Sequence, residues 1–313
     1  MKNFSDVKIL LYGTGAVGSL YGAKLAEAGA SVSTVCRSDF NEVSADGIFI
    51  KSVYGDYHFT PVSVLKAGSE YKDKPDFIIV ATKCLPEINV AEMIKDSVHP
   101  GTSIVLLQNG IDIEPAVAGI FRENEIISGL AFVCATRIAY GRIDHADFGR
   151  IVLGTYPRGI SEKVKLLLEL FRSVQVPAEA DSDIIAARWR KLLWNAPFNP
   201  LSVLCGGADT LQMMNDEHVR ELAESIMREV VQISAAHGHP VAEEFILKNI
   251  EDTLKMKPYK TSMLLDYEAH RPVEIEAILG NAIRIAELNM IPVPHMKTIY
   301  ALLGILNSGN LEK

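Results

Sequence analysis

Hydrophobic positions in the first half of the chain alternate between two periods. Val7–Tyr12 is a short apolar run of strand length. It stops at Gly13-Thr14-Gly15-Ala16-Val17-Gly18, and the spacing then turns helical through Val17, Leu20, Tyr21, Lys24, Leu25 and Ala28 until Gly29. Ala30–Cys36 reads as a second strand. Ile48, Ile50 and Val53 alternate with polar residues, Tyr54-Gly55-Asp56 is turn-like, and Tyr57–Val62 returns, so Gly47–Val62 predicts a hairpin insertion. Phe77–Ala81 predicts a buried strand ending at Thr82-Lys83. Pro86–Val98 predicts a helix broken by Pro100-Gly101, and Thr102–Leu107 a strand ending at Gln108-Asn109-Gly110. Ile126–Ala135 and Arg150–Gly154 continue the sheet, with Tyr140–Gly149 as an antiparallel excursion. Ser161–Phe171 is helical and Val174–Glu179 is a last strand.

From Asp183 onward the strand rhythm disappears. Helical periodicity recurs over Ile184–Trp194, Val219–Ala236, Ala242–Met256 and Val273–Leu288, and again after Pro294. The pattern therefore predicts an α/β domain over residues 1–181 and an all-α domain over 182–313. Pro197 cannot donate to Leu193, so the first helix of the second domain is expected to kink or end there. Asn199 precedes Pro200 and is biased away from helical backbone.

Composition narrows the class. The 313 residues are 48% hydrophobic and 22% charged, as in ordinary globular proteins. No apolar run approaches the roughly 18 residues that span a bilayer, and Ile9–Tyr12 stops too soon for a signal peptide. Net charge is −8 with no basic stripe, which argues against a nucleic-acid surface. An anionic substrate therefore needs a local cationic pocket. Cys36, Cys84, Cys134 and Cys205 lack C-x-x-C spacing, the pattern of reduced, mostly buried thiols in a cytoplasmic protein. His237-Gly238-His239-Pro240 reads as a helix stop, and no metal site is expected.

The chemistry gathers at a few places. Strand, glycine turn, helix and strand within about 30 residues form a dinucleotide-binding unit. Gly13 permits the tight turn, Gly15 the backbone approach to a pyrophosphate, and Gly18 close helix–strand packing. At the end of the second strand stand Cys36 and Arg37, with the first acid at Asp39. A guanidinium there favours a 2′-phosphate and hence NADP(H). Lys83 and Asn109 stand at carboxyl ends of strands, where ligands of open α/β sheets bind. Lys191, Asn195 and Asn199 are spaced four apart, which aligns one cation and two amides on a helix face bounded by both tryptophans of the chain. That face is expected to look into a cleft against the strand ends. Ser262, Asp266, Glu274 and Glu276 read most simply as caps and helix-opening acids.

Together these motifs resemble the ketopantoate reductase (2-dehydropantoate 2-reductase) family over essentially the whole chain. The matching parts are the Gly13–Gly18 loop, Cys36-Arg37, Thr82-Lys83, Gln108-Asn109-Gly110, Lys191…Asn195…Asn199-Pro200-Leu201-Ser202, and Ser262…Glu274-Ile275-Glu276…Gly280. The resemblance implies a Rossmann-type domain followed by a helical domain of the 6-phosphogluconate-dehydrogenase C-terminal type. It implies NADPH-dependent reduction of 2-dehydropantoate to pantoate, on the way to coenzyme A. It casts Lys191 as the general acid and Glu274 as its assistant, in contact with cofactor and substrate. Asn195, Asn199 and Ser262 would hold the substrate, and Asn109 would stand between substrate and nicotinamide. Gly13, Thr14, Gly15, Ala16, Val17 and Gly18, with Arg37, Lys83 and the backbone of Ala135, would contact the cofactor.

The sequence departs from the family pattern at Pro197, at Val273 where a Thr commonly precedes the glutamate, and at Asp209 where better-known members carry an Asn near the substrate. An acid facing the pocket would repel an anionic 2-keto acid, so a different small 2-keto acid is the alternative substrate. A non-catalytic NADP(H) sensor is a further alternative, disfavoured by intact Lys191 and Glu274. A homodimer is compatible with the resemblance.

Overall fold

The computed structural model describes residues 4–311. The chain separates into two compact units. The first comprises Met1–Lys83, Ile88–Gln108 and Glu114–Ile184, and the second Cys84–Glu87, Asn109–Ile113 and Ile185–Lys313.

In the first unit β1 (Lys8–Tyr12), α1 (Ala16–Glu27) and β2 (Ser31–Val35) form a parallel β-α-β unit, with Leu10 opposite Ser33. After α2 (Phe40–Asp46) come β3 (Ile48–Ser52) and β4 (Tyr57–Phe59), the expected hairpin, with Ile50 opposite Tyr57. Then follow β5 (Val64–Leu65), β6 (Phe77–Val80), α3 (Val90–Ile94), β7 (Ser103–Leu106) and α4 (Glu114–Ile120). The fourteen-residue strands β8 (Ile126–Ala139) and β9 (Arg142–Thr155) pair antiparallel, and α5 (Glu162–Ser173) and β10 (Ala178–Ala180) close the unit.

All ten strands join one sheet in the order β4-β3-β9-β8-β7-β6-β1-β2-β5, with β10 on β9. Strands β6 and β7 are buried along their whole length, as expected of parallel strands covered on both faces. Ile9, Leu11, Leu25, Phe77, Leu153, Leu167 and Phe171 lie in one core cluster.

Three local expectations change. The helix expected over Pro86–Val98 is the short α3 followed by a 3₁₀ turn at Lys95–Ser97. The side chain of Asn89 caps it by accepting the Glu92 N–H, which sets the start four residues late. The strand expected over Val174–Glu179 shrinks to β10, because Val174 and Gln175 close α5 by bonding back to Phe171 and Arg172. Helices α2 and α4 were not legible in the pattern, being about two turns each.

The second unit has no strand among its described residues. Its helices are α6 (Ile184–Leu204), α7 (Thr210–Asn215), α8 (Glu217–Ala236), α9 (Glu244–Lys255), α10 (Ser262–Glu268), α11 (Asn281–Leu288) and α12 (Pro294–Leu311), with a π-helical turn at Glu276–Gly280 leading into α11. Its core includes Trp189, Leu193, Phe198, Ile226, Met227, Val230, Leu279, Met296 and Leu303. Gly238 (φ +81°) terminates the α8 region, the stop expected at His237-Gly238-His239-Pro240. A buried carboxylate starts the last helix: Glu229 of α8 accepts from the His295 and Met296 N–H groups, both at 2.9 Å, and contacts His295 Nδ1 at 2.7 Å.

Helix α6 does not end at Pro197, one of the two outcomes expected there. It runs unbroken over 21 residues with Pro197 and Pro200 inside it, and Asn199 is helical. An interior proline costs about 3 kcal/mol in an isolated helix. Here every residue from Asn195 to Val203 is buried, so packing outweighs the lost amide donors. The thiols also differ from expectation. All four are free, but Cys36 alone is buried; Cys84 and Cys134 are half-buried and Cys205 is exposed.

Candidate functional site

The glycine loop lies wholly in the first unit. Gly13 has φ +99°, and a Cβ there would lie 2.9 Å from Thr82 N. Gly18 sits on α1 where that helix meets the loop. Gly15 is the N-cap of α1, with no side-chain cap and no acid in the first turn. A Cβ on Gly15 would meet nothing within 4 Å. An uncapped helix start with unshielded backbone and no acid in its own first turn fits a pyrophosphate.

At the end of β2, Arg37 is exposed, while Asp39 is 2% exposed. Asp39 Oδ2 accepts the Thr14 hydroxyl at 2.6 Å and lies 3.9 Å from Arg137 Nη1. The acid is thus tied to the glycine loop. Ala16 and Val17 open α1, and both pack against the core cluster. Lys83 is half-buried at the end of the first unit's first segment, three residues past β6, and Gln108 Nε2 donates to Thr82 O at 2.9 Å beside it. Ala135 is half-buried in β8, immediately after a register shift.

The lysine cluster lies wholly in the second unit. Lys191 is half-buried on α6, and its Nζ donates to Asn109 Oδ1 at 2.8 Å. Asn195 is 7% and Asn199 2% exposed on the same helix. The tryptophans brace α6. Trp189 Nε1 donates to His237 Nδ1 at 3.2 Å, and Trp194 Nε1 to Thr253 Oγ1 at 3.1 Å. Burial pushes the His237 imidazole below its ordinary range, which keeps Nδ1 available as an acceptor. Glu274 Oε1 accepts the Cys84 N–H at 2.8 Å.

Two acids or hydroxyls take unexpected places. The cap of α10 is Thr261, whose Oγ1 accepts the Leu264 N–H at 3.1 Å, so Ser262 is not the cap and stands exposed in the first turn. Asp209 caps α7: its carboxylate accepts the Gln212 N–H at 2.9 Å and Gln212 Oε1 accepts the Asp209 N–H at 3.0 Å. A carboxylate committed to this reciprocal cap serves the helix.

The structure brings Lys191 and Asn109 into direct contact and places Asn195 and Asn199 on the lysine's own helix. Sequence reasoning missed the Thr14–Asp39 tie, the Cys84 amide beneath Glu274, and Arg188, a 1% exposed cation whose Nη1 donates to Gly110 O at 3.1 Å. An arginine between the apolar Ile184–Ala187 and Trp189 was the available signal for the last of these. No helix of the described residues is long and apolar enough to cross a membrane. No group of three or more His, Cys, Asp or Glu among the described residues could hold a metal ion.

A Rossmann-type sheet with its glycine turn, joined to a helical unit that carries a half-buried lysine among amides, defines an oxidoreductase of the nicotinamide-nucleotide class. The chain belongs to the ketopantoate reductase PanE/ApbA family, whose model matches residues 9–158 and whose C-terminal model matches residues 183–307. It is 34% identical over 311 residues to a 2-dehydropantoate 2-reductase of Nostoc sp., covering 98% of this chain and 97% of that one. Among solved structures it is similar to the 2-dehydropantoate 2-reductase from Methylococcus capsulatus, at 46% identity and TM-score 0.91, covering 96% and 97% of the two chains. It is similar also to that from Geobacter metallireducens GS-15, at 32% identity and TM-score 0.89, covering 95% and 99%.

Proposed function

We propose that this chain reduces 2-dehydropantoate to pantoate with NADPH, a step towards pantothenate and coenzyme A. The observation that carries the reading is the half-buried Lys191 ammonium held by Asn109, with Asn195 and Asn199 following it along α6. Reduction of a ketone builds negative charge on its oxygen, and a cation that can release a proton is the group this requires. When bound, the reduced nicotinamide supplies the hydride to the ketone carbon. Lys191 Nζ donates the proton to the ketone oxygen. Glu274, its carboxylate anchored on the Cys84 amide, assists at the nascent hydroxyl. Asn195, Asn199 and Ser262 orient the hydroxyl and carboxylate of the substrate. The acid at Asp209 is engaged in its cap, which supports an anionic 2-keto acid as the substrate.

The glycine loop and the open start of α1 receive the pyrophosphate, and Lys83 and the Ala135 backbone are assigned to the cofactor as well. Asp39, bound by the Thr14 hydroxyl, is occupied, and Arg37 is the exposed cation at the end of β2. This supports NADPH over NADH.

NADPH oxidation with a panel of 2-keto acids tests the reading. The highest kcat/KM is expected for 2-dehydropantoate; a higher value for another 2-keto acid reassigns the substrate, and no turnover of any removes the activity. In the same assay Arg37→Ala is expected to raise the KM for NADPH roughly 10-fold, the scale of one charge-assisted contact, and barely change that for NADH. Equal changes with both cofactors would show that Arg37 does not hold the 2′-phosphate.

A further inference from the structure

The residues that follow Asn109 are held by an arrangement that the proposed reaction does not by itself require. Gly110 has φ +107°, and a Cβ there would lie 2.6 Å from both the Cβ and the carbonyl oxygen of Ala277. The backbone of this turn therefore presses directly on the π-helical turn, at a position a side chain would block. The π geometry has a specific consequence. The Asn281 N–H bonds back to Glu276 O, five residues earlier, rather than to Ala277 O as in an α-helix. Ala277 O instead accepts the Ile111 N–H at 3.0 Å.

Two side chains complete the hold. Asn281 Nδ2 donates to Ile111 O at 2.7 Å, and the buried Arg188 donates to Gly110 O. Asn281 is itself oriented, because Arg284 Nη2 donates to its Oδ1. Arg284 Nη1 also donates to Glu276 Oε2 at 2.7 Å, and the Tyr300 hydroxyl donates to Glu276 Oε1. The Glu276 carboxylate folds over Gly280, where a Cβ would lie 2.3 Å from its Oε2. Every backbone polar group from Gly110 O to Ile111 O is thus bonded within the second unit, one residue from the amide that holds Lys191.

We propose that Arg188 and Asn281, with Glu276 and Arg284 behind Asn281, are positioning residues that fix the Asn109–Ile111 backbone so that Asn109 Oδ1 holds Lys191 Nζ in a single place. The proposal rests on Lys191 as the proton donor. Asn281 acts through Ile111 and Asn109, and Arg188 through Gly110. None of the four needs to touch substrate.

Asn281→Asp is the sharpest test. It keeps the shape and the oxygen facing Arg284 and removes the donor to Ile111 O. Misplacing a catalytic group by about 1 Å costs up to roughly 100-fold, so kcat is expected to fall roughly 10-fold or more with the KM for NADPH unchanged. Exchange of the Ile111 amide is expected to quicken roughly 10-fold while amides of α8 stay protected. Asn281→Ala should behave alike and serves if the first variant fails to fold.

The double variant with Asn109→Ala separates positioning from general structural support. If Asn281 acts through Asn109, the second substitution adds no further loss once Asn109→Ala is present. Additive losses, or an unchanged kcat in Asn281→Asp while Lys191→Ala is impaired, would overturn the proposal and leave the reaction standing. A normal kcat in Lys191→Ala removes the reaction reading itself. Unchanged exchange at Ile111 in both Asn281 variants removes the clamp whatever the activity.

Discussion

Lys191→Ala is expected to lower kcat by roughly 100-fold or more, the usual scale for losing a general acid. The fold should survive, since Lys191 is half-buried and not part of the apolar core, and the change breaks its hydrogen bond to Asn109 Oδ1. An amide left without its partner costs about 1 kcal/mol. The glycine loop belongs to the other unit, so NADPH affinity is expected to be unchanged. The informative pattern is therefore a large loss in kcat with normal cofactor titration and normal thermal unfolding. A kcat within a few-fold of the parent would mean that the proton comes from elsewhere.

Gly18→Ala is expected to be the most damaging single change in the cofactor loop. Its Cβ would sit 2.0 Å from Gly13 O and 3.1 Å from the Cβ of Ala81. Neither neighbour is the end of a flexible side chain, so α1 must move off β1. Overpacking of this kind costs about 1–3 kcal/mol, and the displaced helix start should raise the NADPH dissociation constant roughly 10-fold or more. Gly15→Ala is the matched control, because its Cβ meets nothing within 4 Å. It should unfold at the parent temperature yet bind NADPH weakly, since the methyl group shields the backbone a pyrophosphate approaches. Thermal unfolding and fluorescence titration with NADPH read the two effects. Equal midpoints for both variants would show that Gly18 is not a packing requirement.

The sequence made the parallel strands and long amphipathic helices visible because burial on one or both faces writes a period into them. Ile9, Leu11, Ile79 and Phe171 are core residues by pattern and in the fold. The short elements α2, α4 and β5 left too few residues to write a period. Helix α6 was misjudged because proline's local cost is legible in the sequence and the burial that offsets it is not. The site divides the same way. Lys191 and Asn195 stand out by spacing alone. Glu274 and Arg188, by contrast, are tied to backbone groups, the Cys84 amide and the Gly110 carbonyl, and backbone groups carry no residue-specific mark. Asp209, an acid that would repel an anionic substrate if it faced the pocket, is engaged in reciprocal bonds with Gln212, and the three-residue spacing to a Gln is the sequence signal for that cap.

The carboxylate of Glu229 bears on how the molecule is made. It is 5% exposed in α8, and its described partners are the amides and imidazole at the start of α12, some sixty-six residues later. During synthesis α8 emerges well before those donors exist. A buried carboxylate without donors is costly, so the helical unit is expected to reach its final packing only after the start of α12 has emerged. The sheet of the first unit has its ten strands by Ala180 and has no such wait. Biosynthesis therefore leaves an interval in which the nucleotide-binding half can assemble while the half bearing Lys191 stays open, and a chain cut short before Pro294 would keep its lysine but lose the donors that let α8 close.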